Sequence, residues 1–515
     1  MTGMNIHFGL ETEYGITRED PEGMDVVAES IHLVRSATEP GVRMKWDYRM
    51  ENPHRDMRGF SVRELRQDKD EAGYFAQDSA RPMSFSEIKS DLALANGGRF
   101  YNDHAHPEYC TPECRNLQEL VRQDWLGDQL ARACARRINQ TTDNAVILYK
   151  NNTDFLGHSY GCHENYLIPR SIEWEGIAQA MTAFLVTRQI FAGAGKYGME
   201  DEDRYLGPGF QLSQRADFFR VLQSVDTMQR RPIINTRDEA HAEDQLWRRF
   251  HVIIGDANLS PYATWLKVGT TALVLQAIIS GAPISLFPRL RDPISALRGI
   301  SHDSDFEWIV GLEAGFELSA TVVQRRYLDI VWDYNQDTFH EDPSWLKVFK
   351  AWDRIVQDLA EDPLSTADRL DWSAKYQLIE SFRESESIKM DDPWVISLDL
   401  EYHRLDPEFG LFYSLLDAGE FKLPVEREYL EASPGLIAPA DTRAAIRGLC
   451  IERFARQIKA SQWDFIQIET QLGVVELNLR NLFDVGTVQH AVEAIRSMNS
   501  PEPLSHLPFA RILQK

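Results

Sequence analysis

His7-Phe8-Gly9-Leu10-Glu11-Thr12-Glu13-Tyr14 is the stretch of sequence that most clearly indicates the fold. Successive side chains of a β-strand point to opposite faces, so Glu11 and Glu13 would share one face, with Leu10 and Tyr14 on the other. A half-buried strand of an antiparallel sheet packs its apolar face on the core. The stretch therefore predicts such a strand, with two carboxylates on one side.

Three later runs repeat this alternation with other reactive side chains. Each run places carboxylate, imidazole, amide or guanidinium groups on one face, close to aromatic residues. The runs are Arg99–Asp103, with Arg99, Tyr101 and Asp103 on one face and Glu108 soon after; Cys162–Leu167, with His163 and Asn165; and Arg248–Ile254, with Arg249 and His251. Exposure to solvent would explain one polar face, but four of them predict a shared functional site.

The residue types on these faces indicate the chemistry of that site. Carboxylates beside a histidine are suitable ligands for a hard divalent cation. Arginine side chains next to them suit phosphate groups, which a guanidinium holds through two parallel hydrogen bonds. Together they predict a site for Mg²⁺ and the phosphates of a nucleotide, without indicating which reaction takes place there.

Composition and charge exclude several classes of protein. The chain has 515 residues and a formal net charge of −24, which argues against a general binder of nucleic acid or of an anionic membrane. Its hydrophobic content of 43% is too high for a disordered chain. The longest apolar stretch, Ala272–Ile279, is too short to span a bilayer, and the N-terminus lacks the basic segment of a signal peptide.

Cysteine usage predicts a cellular compartment. The chain has five cysteines, an odd and sparse set for its length, which argues against a disulfide framework. We therefore expect a cytoplasmic protein with no nucleic-acid or membrane partner.

Helix-like and strand-like segments are mixed without regular alternation, which predicts an α+β fold. Residues 41–66 carry a local charge of +3 from seven basic and four acidic side chains, and have no clear periodicity. They are interpreted as part of a long insertion or mobile loop, at about residues 41–85, between two strands; an ordinary solvated loop is the alternative.

The C-terminal part of the chain predicts a second domain. Pro434-Gly435 interrupts the pattern, and a helix-like segment and two strand-like runs follow, Trp463–Ile468 and Val474–Leu479. The sequence thus predicts a catalytic domain at residues 1–434 and a small α+β domain at residues 435–515.

Long motifs in this sequence resemble those of the Dop/Pup-ligase family. They are Gly9–Gly15, Asn96–Tyr101, Asp103–Tyr109, Lys150–Asp154, Ser159–Tyr166, Gln211–Arg215, Ile233–Glu239 and His251–Asn258. The resemblance runs from about residue 5 to about residue 480, with the motifs in order. It implies a glutamine-synthetase-like carboxylate–amine ligase fold, in which a curved antiparallel sheet cradles a nucleotide and helices lie behind it.

The resemblance also implies an activity. Family members handle Pup, a small disordered acidic protein modifier: one branch uses ATP to ligate Pup to substrate lysines, and the depupylase/deamidase (Dop) branch hydrolyses that isopeptide bond and deamidates the terminal glutamine of Pup. The segment Trp46–Phe60 resembles a loop found in the hydrolysing branch, and Asp103–Glu108 resembles its form of that motif. The expected activity is therefore hydrolysis of Pup conjugates; the alternatives are a Pup–protein ligase and a non-catalytic Pup-binding regulator.

Site residues are carried over by the same resemblance. They are the catalytic Asp103; the nucleotide contacts Arg99, Thr111, Arg249 and Trp463; and the metal-site positions Glu11, Tyr101, Glu108, His163 and His251. The implied cofactors are Mg²⁺ and ATP, or ADP with phosphate, and the implied partners are Pup and pupylated proteins. The roles of Glu13 and Glu164 stay open, and Asp103 either attacks the amide directly or activates a water molecule.

Overall fold

The computed structural model describes residues 4, 6–43, 46–65, 81–198, 209–227, 231–431 and 435–513. Residues 44–45 and 66–80 of the predicted insertion, and residues 432–434 at the predicted domain boundary, lie outside the described residues.

Strands and helices are mixed along the chain. The strands are β1 His7–Glu13, β2 Gly15–Arg18, β3 Gly41–Arg43, β4 Arg55–Asp56, β5 Phe60–Ser61, β6 Leu92–Leu94, β7 Arg99–Asp103, β8 His106–Cys110, β9 Val146–Tyr149, β10 Cys162–Pro169, β11 Lys196–Tyr197, β12 Phe210–Gln211, β13 Phe219–Ser224, β14 Arg231–Asn235, β15 Trp247–Val252, β16 Ile309–Gly311, β17 Glu317–Ser319, β18 Ile458–Ser461, β19 Phe465–Thr470, β20 Gly473–Asn478 and β21 Ala510–Leu513. The α-helices are Val26–Arg35, Phe85–Lys89, Leu117–Asn139, Trp174–Thr187, Gln189–Ala192, Pro261–Ile279, Pro293–Ser301, Ala320–Tyr334, Gln336–Glu341, Pro343–Glu361, Asp371–Glu386, Pro393–Tyr402, Leu411–Asp417, Arg427–Glu431, Ala444–Phe454 and Val485–Ser497. This irregular order confirms the predicted α+β class.

A large sheet organises the first part of the chain. Among the described residues it contains nine strands in the order β13-β14-β15-β10-β1-β8-β7-β6-β3. The pairs are antiparallel except for β13 and β14, which are parallel. The four strands predicted from their alternating polar side chains, β1, β7, β10 and β15, all belong to this sheet, and β10, β1 and β8 are adjacent at its centre.

Helices cover one face of the sheet and form the main hydrophobic core with it. The apolar side chains of β1 and β10, including Leu10 and Tyr166, belong to the same buried cluster as those of helices Leu117–Asn139 and Pro261–Ile279. The latter helix is, within the described ranges, the one that is long and apolar enough to cross a bilayer. Since 89% of its apolar window is buried inside the protein, it is accounted for as a core helix.

A second, smaller sheet lies near the C-terminus. Its order is β18-β19-β20-β21, and helices Ala444–Phe454 and Val485–Ser497 pack on it around a separate hydrophobic cluster. Arg447 fastens this unit to the large sheet by donating to Glu113 at 2.6 Å and to the carbonyl of Gly97 at 2.6 Å. This cluster also includes Val42 of β3 and Ala93 of β6, and a small C-terminal domain beginning at residue 435 stays a prediction.

The described part of the predicted insertion is folded against the site side of the molecule. It contains β4 and β5, which form a hairpin, and a 3₁₀ turn at Tyr48–Met50. Trp46 packs edge-on against Trp463 of the small unit, with ring centroids 5.1 Å apart. The side chain of Thr236 donates to Asp56 at 2.6 Å. These contacts give residues 46–61 defined partners, which the absence of periodicity in the sequence did not indicate.

Candidate functional site

Strand register brings the first group of predicted site residues together. Glu11 of β1 pairs with His163 of β10, and Asn165 of β10 pairs with His251 of β15. Because directly paired residues point to the same face, these four side chains form a row across three strands. This is the arrangement that the spacing of two had predicted.

Hydrogen bonds hold this row in place around Glu11. Asn165 donates to one carboxylate oxygen at 2.9 Å, and Nδ1 of His163 lies 3.3 Å from the other. Nδ1 of His251 lies 2.8 Å from the amide oxygen of Asn165. Burial opposes ionisation of Glu11, but the hydrogen bond with His163 and the positive charge of Arg249 hold its pKa below the usual value.

Glu11, His163 and His251 form a candidate metal site. One ligand atom from each residue lies within 4.8 Å of the others. A carboxylate with two imidazoles is a donor set that a divalent cation can use. The structure therefore brings three of the predicted metal residues together in a suitable geometry.

The other two predicted metal residues belong to a second acidic group on β1, β7 and β8. Glu13 pairs with Glu108, and Tyr101 pairs with Glu108 from the other side. Carboxylate oxygens of Glu13, Asp103 and Glu108 lie within 4.8 Å of one another, and the hydroxyl of Tyr101 donates to Glu108 at 2.8 Å. Tyr101 thus contacts Glu108, and Glu13 joins this group.

The pKa of Glu108 shows how strongly these carboxylates repel one another. Burial and the neighbouring charges of Asp103 and Glu11 raise the pKa of Glu108 well above its usual value. Like charges that share a buried site disfavour ionisation, and a divalent cation would remove that penalty. The donor set therefore fits a hard cation such as Mg²⁺.

Asp103, the predicted catalytic residue, lies at the open side of this group. Its side chain is 25% exposed and forms an ion pair with Lys89, the last residue of helix Phe85–Lys89. Burial would raise the pKa of Asp103, but the charge of Lys89 holds it below the usual value. Asp103 is therefore a carboxylate at neutral pH, which both of its possible roles require.

Arg99 is engaged by protein groups. Its Nε donates to Asp91 at 2.8 Å, and its guanidinium contacts the Tyr48 hydroxyl and lies 3.7 Å from the centroid of the Tyr101 ring. The Tyr48 hydroxyl in turn donates to Asp91 at 2.7 Å. In the described part of the chain, Arg99 is not among the residues that line the cleft beside Glu11, which is described next. Its contact with nucleotide therefore stays a prediction.

A cleft opens beside Glu11, between the large sheet and the small C-terminal unit. Three residues predicted to contact nucleotide line it: Thr111, Arg249 and Trp463. Thr111 is also structural, because its hydroxyl accepts the backbone N–H of Leu10 at 3.0 Å.

Arg249 is the basic group between the cleft and the metal-site row. It donates to Glu239 at 3.2 Å and to Asn165 at 3.3 Å, and lies 3.8 Å from Glu11. Its Nε is buried and has no hydrogen-bond acceptor among the described residues. A buried donor without a partner is costly, so this position suits an acceptor oxygen supplied by a ligand.

The structure distinguishes Glu164 from Glu13, whose roles the sequence had left open. Glu164 is fully buried on the opposite face of β10, where it forms a bidentate ion pair with Arg188. Although burial would raise the pKa of Glu164, the charge of Arg188 lowers it. Glu164 therefore supports the core, whereas Glu13 belongs to the acidic group.

The sequence did not indicate Lys89, Tyr48 and Asp91 as residues of the site. Lys89 is 14 residues from Asp103, and Tyr48 is 51 residues from Arg99. The sequence pattern around them gave little indication of a role in the site, because each is an isolated polar residue outside the alternating runs.

His7 at the edge of the cleft gives a prediction about acid stability. Burial, with the charge of Arg115, lowers the pKa of His7 to about 3. His7 is therefore neutral in the folded protein, whereas in the unfolded chain it takes up a proton below its usual pKa. As a result, His7 does not reduce the free energy of unfolding above about pH 6.5, and it reduces it increasingly as the pH drops toward 3. His7→Phe should reduce the loss of unfolding free energy between pH 7 and about pH 5 by roughly 2 kcal/mol.

Urea unfolding of both proteins at the two pH values measures this difference. Phenylalanine is chosen because its ring can replace that of His7, whose centroid lies 5.0 Å from the centroid of the Phe483 ring. An equal loss of stability in both proteins would show that His7 does not titrate as described.

Comparison with known proteins gives three close matches in sequence. A profile of the family described as Pup-ligase protein matches residues 7–467. A depupylase from Acidothermus cellulolyticus is 40% identical over 473 residues, which cover 90% of this chain and 91% of that relative. A Pup deamidase/depupylase from Mycolicibacterium smegmatis is 38% identical over 468 residues, covering 89% and 90% respectively.

A solved structure also matches. The Pup ligase PafA of the prokaryotic ubiquitin-like modification pathway, in complex with ADP, superposes with a TM-score of 0.70 and 29% sequence identity. The match covers 85% of this chain and 96% of that structure. The profile match includes all four strands that carry the polar side chains.

Proposed function

This chain belongs to the Pup-ligase protein family, and we propose that it is a nucleotide-dependent hydrolase of Pup conjugates. The relatives named depupylase and Pup deamidase/depupylase cover about nine-tenths of the chain and support this branch of the family. The family and the fold predicted from the motifs are confirmed. The proposed substrates are proteins that carry Pup on a lysine, and Pup that ends in glutamine.

The observation that carries the proposal is the position of Asp103. Its carboxylate lies close to Glu13 and Glu108, is partly exposed, and forms an ion pair with Lys89. Hydrolysis adds water across the C–N bond: the carbonyl carbon gains an oxygen and becomes a carboxylate, and the nitrogen leaves as an amine that takes up a proton. Asp103 would either attack that carbon or remove a proton from the attacking water.

The remaining site residues would bind the cation and the anionic oxygens of the ligands. Glu11, His163 and His251 would hold a divalent cation, and Glu13 and Glu108 offer the oxygen ligands that Mg²⁺ prefers. When bound, the cation would supply charge stabilisation for phosphates and for a developing oxyanion. The Nε of Arg249, which has no acceptor in the described ranges, would bind an anionic oxygen between the cation and the cleft.

The nucleotide, ATP or ADP with phosphate, is proposed to occupy the cleft lined by Thr111 and Trp463. The Pup ligase neighbour that binds ADP supports this assignment. Trp463 is held from two sides, by the ring of Trp46 and by the guanidinium of Arg447, which lies 5.2 Å from its centroid. A fixed indole ring at this position suits stacking on an adenine base.

Trp463→Ala is expected to weaken ADP binding by about 1–3 kcal/mol, the usual contribution of a base stacked on an aromatic side chain. Isothermal titration calorimetry with ADP and Mg²⁺ measures the change. Trp463→Phe keeps an aromatic face and should retain most of the affinity. Equal affinity in the wild type and the Ala variant would place the base elsewhere.

The proposed location is the cytoplasm. All five cysteines are buried as free thiols, as expected in a reducing compartment.

Incubation of the purified protein with a Pup–protein conjugate, ATP and Mg²⁺ tests the proposed function. We expect release of free Pup and of the unmodified protein. If the conjugate persists, and new conjugates form from free Pup and acceptor protein instead, the chain is a ligase. If neither reaction occurs although nucleotide binds, the regulator alternative replaces both enzymes.

A further inference from the structure

Lys89 is the one charged side chain, in the described part of the molecule, that forms an ion pair with Asp103. Its ammonium also lies 5.4 Å from the centroid of the Tyr101 ring and 5.9 Å from that of Phe85. A carboxylate and two aromatic faces around a cation form a recognition site for an alkylammonium group. Lys89 therefore occupies an ammonium-binding cage that contains the proposed catalytic carboxylate.

This cage is accessible from outside. Phe85 is 60% exposed, and the Lys89 side chain is 15% exposed. The Phe85 ring packs edge-on against Tyr48, with centroids 5.3 Å apart, which fixes that wall of the cage. A second lysine side chain approaching Asp103 from solvent would pass Phe85 and meet the groups that now hold Lys89.

The proposed reaction brings such a lysine to this place. Cleavage of a Pup conjugate breaks a bond to the Nζ of a lysine, so the leaving group becomes an alkylammonium ion next to Asp103. Its chemistry is identical to that of the Lys89 side chain. If the released ammonium ion takes the position beside Asp103, Tyr101 and Phe85 that Lys89 now fills, the two ammonium groups compete for it.

We propose that Lys89 occupies the leaving-amine subsite and acts as an intramolecular competitor of the substrate lysine. The inference rests on the proposed function. Lys89 withdraws when the conjugate binds, returns after the C–N bond is broken, and displaces the released lysine from Asp103. It is a specificity-determining residue for the amine side of the substrate, and it limits product inhibition.

The two proposed reactions should depend on Lys89 differently. A Pup conjugate carries a long alkyl chain on the amide nitrogen and has to expel Lys89. Pup that ends in glutamine carries only hydrogens there and releases ammonia. Removing Lys89 should therefore lower the KM for the conjugate more than the KM for Pup with terminal glutamine, which a purely structural role would not produce.

The test uses n-butylammonium as a probe with the wild type, Lys89→Met and Lys89→Arg. An internal competitor acts at an effective concentration of the order of millimolar, so removing it should let the probe inhibit conjugate cleavage at about tenfold lower concentration in Lys89→Met. Lys89→Arg keeps the charge and should behave like the wild type. Equal inhibition of the wild type and Lys89→Met would overturn the proposal, as would activation of Lys89→Met by the probe.

A second measurement, on the wild-type protein, tests the same displacement of Lys89. Saturating Pup conjugate should increase the rate at which an amine-acetylating reagent modifies Lys89, read by peptide mass spectrometry. An unchanged rate contradicts the proposed displacement. Absence of conjugate cleavage in the wild type would count against the proposed function, whereas cleavage with unaltered probe inhibition in Lys89→Met would count against Lys89 alone.

Discussion

Replacement of Asp103 by asparagine is expected to lower the rate of conjugate cleavage by about 10²- to 10⁴-fold, the usual contribution of a positioned acid–base group. The substitution keeps the size of the side chain and removes the charge. It leaves the cleft untouched, because Asp103 does not line it within the described residues. Affinity for ADP should therefore be retained.

Single-turnover cleavage of a conjugate measures this loss, with calorimetry of ADP binding on the same sample. Asp20→Asn is a matched control, because Asp20 is an exposed aspartate after β2. It belongs neither to the candidate metal site at Glu11 nor to the acidic group of Glu13, Asp103 and Glu108. Asp103→Ala should reproduce the loss. Cleavage by Asp103→Asn at the wild-type rate would remove Asp103 from the mechanism.

Replacement of Glu11 by glutamine has the second largest expected effect. Glutamine can keep a carbonyl oxygen near the donating amide of Asn165, but it removes the negative charge that faces His163, His251 and Arg249. Loss even of a group that only supports a metal ligand costs about 10- to 100-fold in metal affinity or activity. We expect at least that increase in the Mg²⁺ concentration required for half-maximal cleavage.

A Mg²⁺ titration of the cleavage rate at fixed nucleotide provides the measurement. Glu19→Gln, at an exposed position beyond β2, controls for the loss of one negative charge. An unchanged Mg²⁺ requirement in Glu11→Gln would mean that Glu11 orients Asn165 and His163 without binding the cation.

Much of the sheet was predictable because its central strands obey a period of two. Glu11, His163 and His251 share a face in the sequence pattern, and the observed register places them side by side. The sequence left the role of Glu164 open, and its ion pair with Arg188 on the opposite face became visible only in the structure.

Other parts of the site depend on contacts that no local pattern records. Lys89 reaches Asp103 from a separate short helix, and Tyr48 reaches Arg99 from a segment without periodicity. The positions of Thr111 and Trp463 came from family resemblance, since only the packing of the small unit on the large sheet forms the cleft that they line. Tertiary arrangement decides such contacts, and sequence spacing does not encode it.

Cleavage of a Pup conjugate in ¹⁸O-labelled water is the most direct test of the central claim, that this site hydrolyses the bond between Pup and lysine. Mass spectrometry of the released Pup reads the isotope in its new terminal carboxylate. The account predicts free Pup that carries solvent oxygen, with the lysine returned unmodified. Recovery of intact conjugate from an enzyme that has bound nucleotide, or net formation of conjugate from free Pup, would contradict it.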